Sequence, residues 1–85
     1  MASYKLLFRK SVARDLRPIP QRGLKRILAQ LEALAENPRP KGCEKLSGQE
    51  RYRIRQGVYR IMYEVSESVV TVTIVKERHR RHVYQ

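Results

Sequence analysis

Residues 51–65 read RYRIRQGVYRIMYEV, which is the pattern of a β-hairpin whose two strands flank Gln56-Gly57. Successive side chains of a strand point to opposite faces, so the apolar and the cationic residues of this stretch separate. The apolar face is formed by Tyr52, Ile54, Tyr59, Ile61, Tyr63 and Val65. The opposite face carries Arg51, Arg53, Arg55, Val58, Arg60, Met62 and Glu64. The hairpin is therefore predicted to be apolar on one side and strongly cationic on the other.

The cationic face of this hairpin contains an unfavourable pair. A two-residue turn at Gln56-Gly57 places Arg53 directly opposite Arg60, and like charges on opposite residues destabilise a sheet. One explanation is that long arginine side chains spread into water at modest cost. The other is that a ligand with closely spaced negative charges, such as a nucleic-acid backbone, relieves the repulsion. The second explanation is favoured because the positive charge recurs near the C-terminus.

The chain before the hairpin predicts one strand and two helices. Residues 3–9 alternate as a first strand, and Ser11 is placed to cap a short helix. Pro20 opens a second helix, which Asn37-Pro38 ends. Its apolar positions recur every three or four residues and are Leu24, Ile27, Leu28, Leu31, Leu34 and Ala35. We expect this apolar stripe to cover the apolar side of the hairpin.

The remaining segments complete the predicted fold. Residues 37–48 are rich in proline, glycine and charge and are predicted to form a loop, whereas residues 69–75, VVTVTIV, predict a strand. Its inward positions are expected to be Val70, Val72 and Ile74, which would face Val65, Tyr63 and Ile61. The order β-α-α-β-β-β predicts an α+β fold with two N-terminal helices on one face of a mainly antiparallel four-stranded sheet. We expect one domain over residues 1–85, with the other face of the sheet open and basic.

The composition limits the partners and the compartment. Nineteen Lys and Arg residues against eight Asp and Glu residues give a formal charge of +11, which favours acidic partners. The chain has one cysteine, Cys43, so an internal disulfide is excluded and a reducing cytoplasm fits. The apolar runs are too short to cross a bilayer, and the N-terminus lacks the apolar core of a signal peptide. We expect a cytoplasmic protein without a membrane partner.

The reactive side chains narrow the chemistry. The sequence shows no paired carboxylates suited to glycoside hydrolysis, no glycine-rich phosphate loop and no His/Cys spacing suited to zinc. The arginines, the tyrosines and the segment KERHRRHVYQ at residues 76–85, which holds both histidines, remain. Arginine can hold a phosphate and stabilise developing charge, histidine can transfer protons, and tyrosine can stack on a base. This set of residues suits metal-free RNA cleavage without a cofactor.

The chain resembles the RelE-type toxins of the RelE/ParE superfamily of bacterial toxin–antitoxin systems over nearly its whole length. The resemblance is carried in order by FRKSVARDL at 8–16, LAENPRPKGCEKLSG at 34–48, YRIRQGVYRIMYEV at 52–65 and RHRRHVY at 78–84. It implies a type II toxin that cleaves mRNA in the ribosomal A site, with the small subunit and mRNA as partners. It also implies neutralisation by an acidic RelB-like antitoxin, in a complex that binds operator DNA.

The resemblance also implies which residues act. Arg53, Arg55 and Arg60 fall on the basic positions of the family's hairpin, and Arg78 falls six residues before the terminal tyrosine, Tyr84. The four arginines would bind and polarise the phosphate, and the tyrosine would stack on the RNA or orient it.

The general base is less well defined by the resemblance. In the best-known RelE the first two hairpin positions are lysines, one of them a proposed base, whereas this chain has arginine at both. Arginine stays protonated and is a poor base. His79 or His82 could take the acid–base role, since only histidine titrates near neutral pH without a shifted pKa.

Two alternative functions remain open at the level of the sequence. A ParE-like protein would inhibit DNA gyrase without cleaving RNA, and it would not need grouped arginines with a C-terminal tyrosine. A toxin relic would only bind its antitoxin and help to repress the operon.

Overall fold

The computed structural model describes residues 3–46 and 50–77. The elements in chain order are β1 (Lys5–Phe8), α1 (Lys10–Leu16), α2 (Gln21–Glu36), β2 (Glu44–Leu46), β3 (Arg51–Gln56), β4 (Tyr59–Ser66) and β5 (Val69–Glu77). The predicted α+β fold is confirmed, except that the sheet formed by these described residues has five strands instead of four. The additional strand, β2, lies in the segment predicted to be a loop. No helix within the described ranges is long and apolar enough to cross a membrane.

The strands are ordered β1-β5-β4-β3-β2 across the sheet. The pairs β3–β4 and β4–β5 are antiparallel, as predicted for a mainly antiparallel sheet. The unpredicted strand β2 pairs antiparallel with β3, and β1 pairs parallel with β5. A parallel pair requires a long crossover connection, and both helices lie in the chain that separates these two strands. In this strand order the hairpin strands β3 and β4 are interior strands, and β5 separates them from the edge strand β1.

Helix α2 covers the apolar side of the sheet, as the leucine stripe predicted. It begins directly after Pro20 and ends before Asn37, and its buried residues are Ile27, Leu31 and Leu34. The prediction for Leu28 is wrong, because this side chain is 42% exposed. The stripe in contact with the sheet is thus narrower than the sequence pattern indicated.

Helix α1 begins two residues earlier than predicted. Its N-cap is Arg9, which makes no side-chain capping hydrogen bond, so the prediction of Ser11 as the cap is wrong. The N–H of Arg9 donates to the carbonyl of Val72 at 3.0 Å and so remains part of the sheet. The chain turns directly from the sheet into the helix, which leaves Ser11 inside the first turn.

The core lies between the helices and the sheet and contains the predicted apolar residues of the hairpin, of which Tyr59 is only partly buried. Its buried members are Val12, Ile27, Leu31, Leu34, Tyr52, Ile54, Ile61, Tyr63, Val65, Val70, Val72 and Val75. The rings of Tyr52 and Tyr63 stack with their centroids 5.6 Å apart, and the hydroxyl of Tyr63 donates to the carbonyl of Pro38 at 2.6 Å. The aromatic pair therefore ties the hairpin to the segment that follows α2.

The turn of the hairpin lies one residue further along than predicted. Gln56 pairs with Tyr59, so the two turn residues are Gly57 and Val58. Gly57 has a φ of 64°, which matches a type II′ turn, and this turn takes glycine at its first central position. The predicted pairing of Arg53 with Arg60 is therefore wrong, and the residue opposite Arg60 is Arg55.

The last strand contains a β-bulge that the sequence did not predict. The register shifts next to Tyr63, so Ile74 lies opposite Met62 and Val75 lies opposite Ile61. Val75 is 3% exposed and fills the buried position that was predicted for Ile74. The inward pairs Val65–Val70 and Tyr63–Val72 are as predicted.

Two side chains satisfy backbone groups beside this bulge. Thr73 is the additional residue, and its hydroxyl donates to the carbonyl of Met62 at 3.1 Å. The N–H of Val75 donates to Oδ2 of Asp15 on α1 at 3.3 Å. Since unpaired buried backbone groups are costly, these bonds stabilise a bulge that would otherwise leave groups unsatisfied.

Replacement of Gly57 tests the turn assignment. Gly57→Ala is expected to lower the free energy of unfolding by about 1 to 2 kcal/mol, because a side chain at positive φ is strained and no neighbouring atom lies near enough to add a steric clash. Urea denaturation measures this change, and Val58→Ala, at the exposed second turn position, is the control. Equal stability of the Gly57→Ala variant and the parent chain would contradict the assigned turn.

Candidate nucleic-acid interface

The face of the sheet opposite the helices includes three rows of side chains that cross strands β2 to β5. Opposite residues on neighbouring strands define each row. The row nearest the β3–β4 turn contains Arg55, Arg60 and Lys76, and we name it the turn-end row. The middle row contains Glu44, Arg53, Met62 and Ile74. The far row contains Leu46, Arg51, Glu64 and Thr71.

The arginines of the middle and far rows are paired with carboxylates. Oε1 of Glu44 accepts hydrogen bonds from Nε and Nη2 of Arg53, at 3.0 and 2.5 Å. Arg51 lies 3.4 Å from a carboxylate oxygen of Glu64. The Arg53 guanidinium lowers the pKa of the Glu44 carboxyl, with a smaller effect from the charge of Arg55. Exposed ion pairs stabilise a fold only slightly, but these pairs neutralise two of the cations that the sequence placed on this face.

The turn-end row differs because no carboxylate pairs with it in the described part of the chain. Arg60 is half-buried, and its Nε is the one buried side-chain polar atom that lacks a hydrogen-bond partner among residues 3–46 and 50–77. An unsatisfied buried donor costs about 1 to 3 kcal/mol, and more when it is charged. An anion bound at this row would relieve the repulsion between the cations, whereas contact with the buried Nε would require the Arg60 side chain to turn outward.

A separate network of charges holds the start of β3. Oε1 of Glu50 accepts hydrogen bonds from Arg39 at 2.7 Å and from the hydroxyl of Tyr52 at 2.8 Å, and its other oxygen lies 3.3 Å from Nζ of Lys45. These partners, with Arg39 the strongest, lower the pKa of Glu50 from an ordinary 4.5 to about 2. The Arg39 guanidinium also lies 5.5 Å from the centroid of the Tyr52 ring. This network joins the segment after α2 to the hairpin and has a structural role.

The structure brings some of the sequence-predicted site residues together. Arg53, Arg55 and Arg60 share the open face, but Arg53 lies in the middle row with Glu44. The other predicted site residues, Arg78, His79 and Tyr84, lie outside the described residues.

Sequence reasoning missed two functional candidates on the same face, Glu44 and Lys76. Glu44 was missed because its segment was read as a loop, and no signal in that segment marks it as a strand. Lys76 was missed because the bulge brings it opposite Arg60. In the described ranges, no group of three or more His, Cys, Asp or Glu side chains could hold a metal ion.

The comparisons with known proteins define the class of this molecule. Residues 6–84 match the family described as "ParE toxin of type II toxin-antitoxin system, parDE". No curated protein sequence matches the chain significantly. The chain thus has the fold of a type II toxin–antitoxin toxin. It belongs to the ParE toxin family, within the RelE/ParE superfamily that its motifs predicted.

Solved structures of RelE toxins are similar to this chain. A chain of the archaeal RelE–RelB complex from Pyrococcus horikoshii OT3 is 29% identical with a TM-score of 0.83, over 92% of this chain and 98% of that chain. The isolated Escherichia coli RelE toxin is 28% identical with a TM-score of 0.82, over 96% and 92% of the two chains. A chain of the RelB–RelE complex from Methanococcus jannaschii is 30% identical with a TM-score of 0.70, over 92% and 94%.

The low pKa of Glu50 predicts an acid-sensitive contribution to stability. A carboxyl whose pKa is lower in the folded chain stabilises it above the ordinary value of 4.5, and this contribution is lost as the pH falls towards about 2. Glu50→Gln is therefore expected to lose less stability than the parent chain over this range. Urea denaturation at several pH values between these limits measures the slope, and equal slopes would show that Glu50 does not carry the contribution.

Proposed function

We propose that this chain is a ribosome-dependent mRNA endoribonuclease, the toxin of a type II toxin–antitoxin system, which cleaves in the A site and inhibits translation. The observation that carries the proposal is the turn-end row, where Arg55 and Arg60 face each other without a carboxylate and the Nε of Arg60 has no partner among the described residues. Such a row suits a ligand that brings closely spaced negative charges. An RNA backbone supplies them, and its phosphate is also the reacting group.

The proposed reaction is an attack of the RNA 2′-hydroxyl on the adjacent phosphorus. The 2′-oxygen loses its proton and forms the new bond, the bond to the 5′-oxygen breaks, and that oxygen takes up a proton, which leaves a cyclic 2′,3′-phosphate. Charge develops on the phosphoryl oxygens, where Arg55 and Arg60 would stabilise it by charge-assisted hydrogen bonds. No step needs a metal or a cofactor.

The remaining roles come from the resemblance and are part of the proposal. Arg78 would contribute to phosphate binding, Tyr84 would stack on the RNA or orient it, and His79 would transfer the proton. Arginine is not a suitable base, so Arg55 and Arg60 are not assigned this role, and the proposal gives it to His79.

Arg53 is proposed to have a smaller role than Arg60. Its guanidinium is held by Glu44 through two hydrogen bonds. An RNA phosphate that binds Arg53 must compete with this carboxylate, whereas at the turn-end row it meets no ion pair of the described chain. A groove of about 580 Å³ beside Arg53 and Arg55, also lined by Lys41 and Glu44, offers a path for the RNA along this edge.

The proposed partner in the resting state is an acidic antitoxin like RelB. The similar structures from P. horikoshii and M. jannaschii are RelE–RelB complexes. The formal charge of +11 favours association with an acidic chain. We extend this to a toxin–antitoxin complex that binds operator DNA.

A second candidate function is inhibition of DNA gyrase without RNA cleavage, which the description of the matched family as ParE favours. Primer extension on translated mRNA after induction of the toxin separates the two functions. Cuts in phase with codons support the nuclease. A DNA-damage response without cuts would contradict it and support the gyrase inhibitor, and expression without toxicity would contradict both.

Arg60→Ala tests the assignment of the site. The variant is expected to relieve growth arrest, because removal of one donor to a transition-state oxyanion costs about 100-fold to 1,000-fold in rate. Its thermal unfolding temperature should not fall, since the substitution removes a repulsive pair with Arg55. Growth after induction and thermal unfolding are measured together.

Two control variants sharpen this experiment. Arg53→Ala is expected to reduce toxicity less than Arg60→Ala, because Glu44 already neutralises Arg53. Arg22→Ala, on an exposed position of α2, is expected to remain fully toxic. Full toxicity of a folded Arg60→Ala variant would overturn the assignment.

A further inference from the structure

We propose that Lys76 is a third phosphate-binding residue, which positions the RNA backbone at the turn-end row together with Arg55 and Arg60. This inference rests on the proposed function, because it takes RNA as the ligand of that row. Lys76 is not part of the hairpin, and its role follows from the sheet register. Arg55 lies directly opposite Arg60, and Arg60 lies directly opposite Lys76.

The bulge in β5 is what places Lys76 in this row. On the far side of the bulge, Tyr63 pairs with Val72, and continuing that register without a shift would bring Val75 opposite Arg60. The additional residue moves every later position of β5 by one, so Val75 enters the core and Lys76 reaches the open face. Bulges occur preferentially beside active sites, where they re-aim a side chain.

The spacing of the row suits a polyanion. Directly opposite residues of antiparallel strands have Cα atoms about 4.5 to 5.5 Å apart, so three neighbouring strands place the three cations across about 10 Å. Arg60 occupies the centre, where its planar guanidinium can hold one phosphate through two hydrogen bonds. Lys76 adds a point charge with three rotatable donors on one side, which suits the same phosphate or the next one.

The charges around the row show that it is not balanced by the fold. In the described ranges, ion pairs are formed by cations outside this row, namely Arg39, Lys45, Arg51 and Arg53. The carboxylates that pair with them are Glu44, Glu50 and Glu64. Glu44 is the carboxylate whose pKa responds to the charge of Arg55, but it is hydrogen-bonded to Arg53. Glu77 follows Lys76 in β5 and alternates to the opposite face. Three adjacent cations without a described counter-ion make the row repulsive until an anion binds.

RNA binding by the full chain tests the proposal. The probe is a single-stranded RNA with 2′-O-methyl riboses, which cannot form the attacking 2′-oxyanion and so stays intact. Its affinity is measured by fluorescence anisotropy over a range of salt concentrations. For single strands the slope of log K against log salt changes by about 0.7 for each phosphate contact, so Lys76→Ala should make the slope shallower by about that amount. Lys76→Arg should retain it.

The matched control is Lys25→Ala, which removes the same charge from an exposed position of α2. It lowers the net charge equally but is remote from the open face, so its slope should stay within error of the parent chain. A second readout is the thermal unfolding temperature at low salt. Lys76→Ala should raise this temperature because a repulsive neighbour of Arg60 is removed, and added salt should abolish the difference. A structural role for Lys76 would instead lower it.

The outcomes separate this inference from the proposed function. An unchanged salt slope for Lys76→Ala overturns the inference, even if the parent chain cleaves mRNA on ribosomes, and so does a parent chain that does not bind the RNA. A shallower slope combined with absence of cleavage by the parent chain supports the three-cation site and overturns the nuclease instead. If Lys76→Ala shows a shallower slope and cleaves mRNA more weakly than a parent chain that is active, both the inference and the proposed function are supported.

Discussion

The register of the β3–β4 hairpin is the constraint on which the rest of the structure depends, and Gly57 sets it. A type II′ turn takes glycine at its first central position, so Gly57 and Val58 form the turn. On the inner face this register stacks Tyr52 on Tyr63. On the outer face it places Arg55 opposite Arg60. One backbone conformation therefore positions both the core under α2 and the cations of the open face.

The core allows this register because its free energy exceeds the repulsion that results. Burial of one large apolar side chain contributes about 1.5 to 3 kcal/mol, whereas an unfavourable cross-strand pair costs about 0.2 to 1 kcal/mol. Among the described residues, twelve apolar side chains are buried between the helices and the sheet, so the sheet can hold Arg55, Arg60 and Lys76 side by side. The bulge in β5 follows the same logic, because it buries Val75 and thereby aligns Lys76 with Arg60.

The sequence predicted the faces of the hairpin well and its pairs poorly, for one physical reason. Side chains alternate with a period of two, and the observed register differs from the predicted one by two positions in the pairing, so each residue kept its face while each partner changed. The rule that places glycine first in a type II′ turn would have identified the correct pair for Arg60. The bulge and strand β2 were not predictable in this way. The bulge is accompanied by hydrogen bonds between residues distant in sequence, one donated by Thr73 and one accepted by Asp15. Strand β2 is three residues long in a segment of loop-like composition.

The carboxylates make one end of the open face more positively charged than the other, which a count of arginines does not show. Arg51 and Arg53 are the same residue type as Arg55 and Arg60, but they form ion pairs with Glu64 and Glu44. A phosphate that approaches the far or middle row must displace a carboxylate. The net gain in electrostatic interaction is small there, because one anion replaces another. At the turn-end row it meets three cations that pair with no carboxylate of the described residues, so the full interaction is gained. We therefore expect the tightest phosphate contact at the end of the sheet from which β5 leads into the C-terminal segment, whose sequence holds both histidines, and one of them, His79, is the residue proposed to transfer the proton.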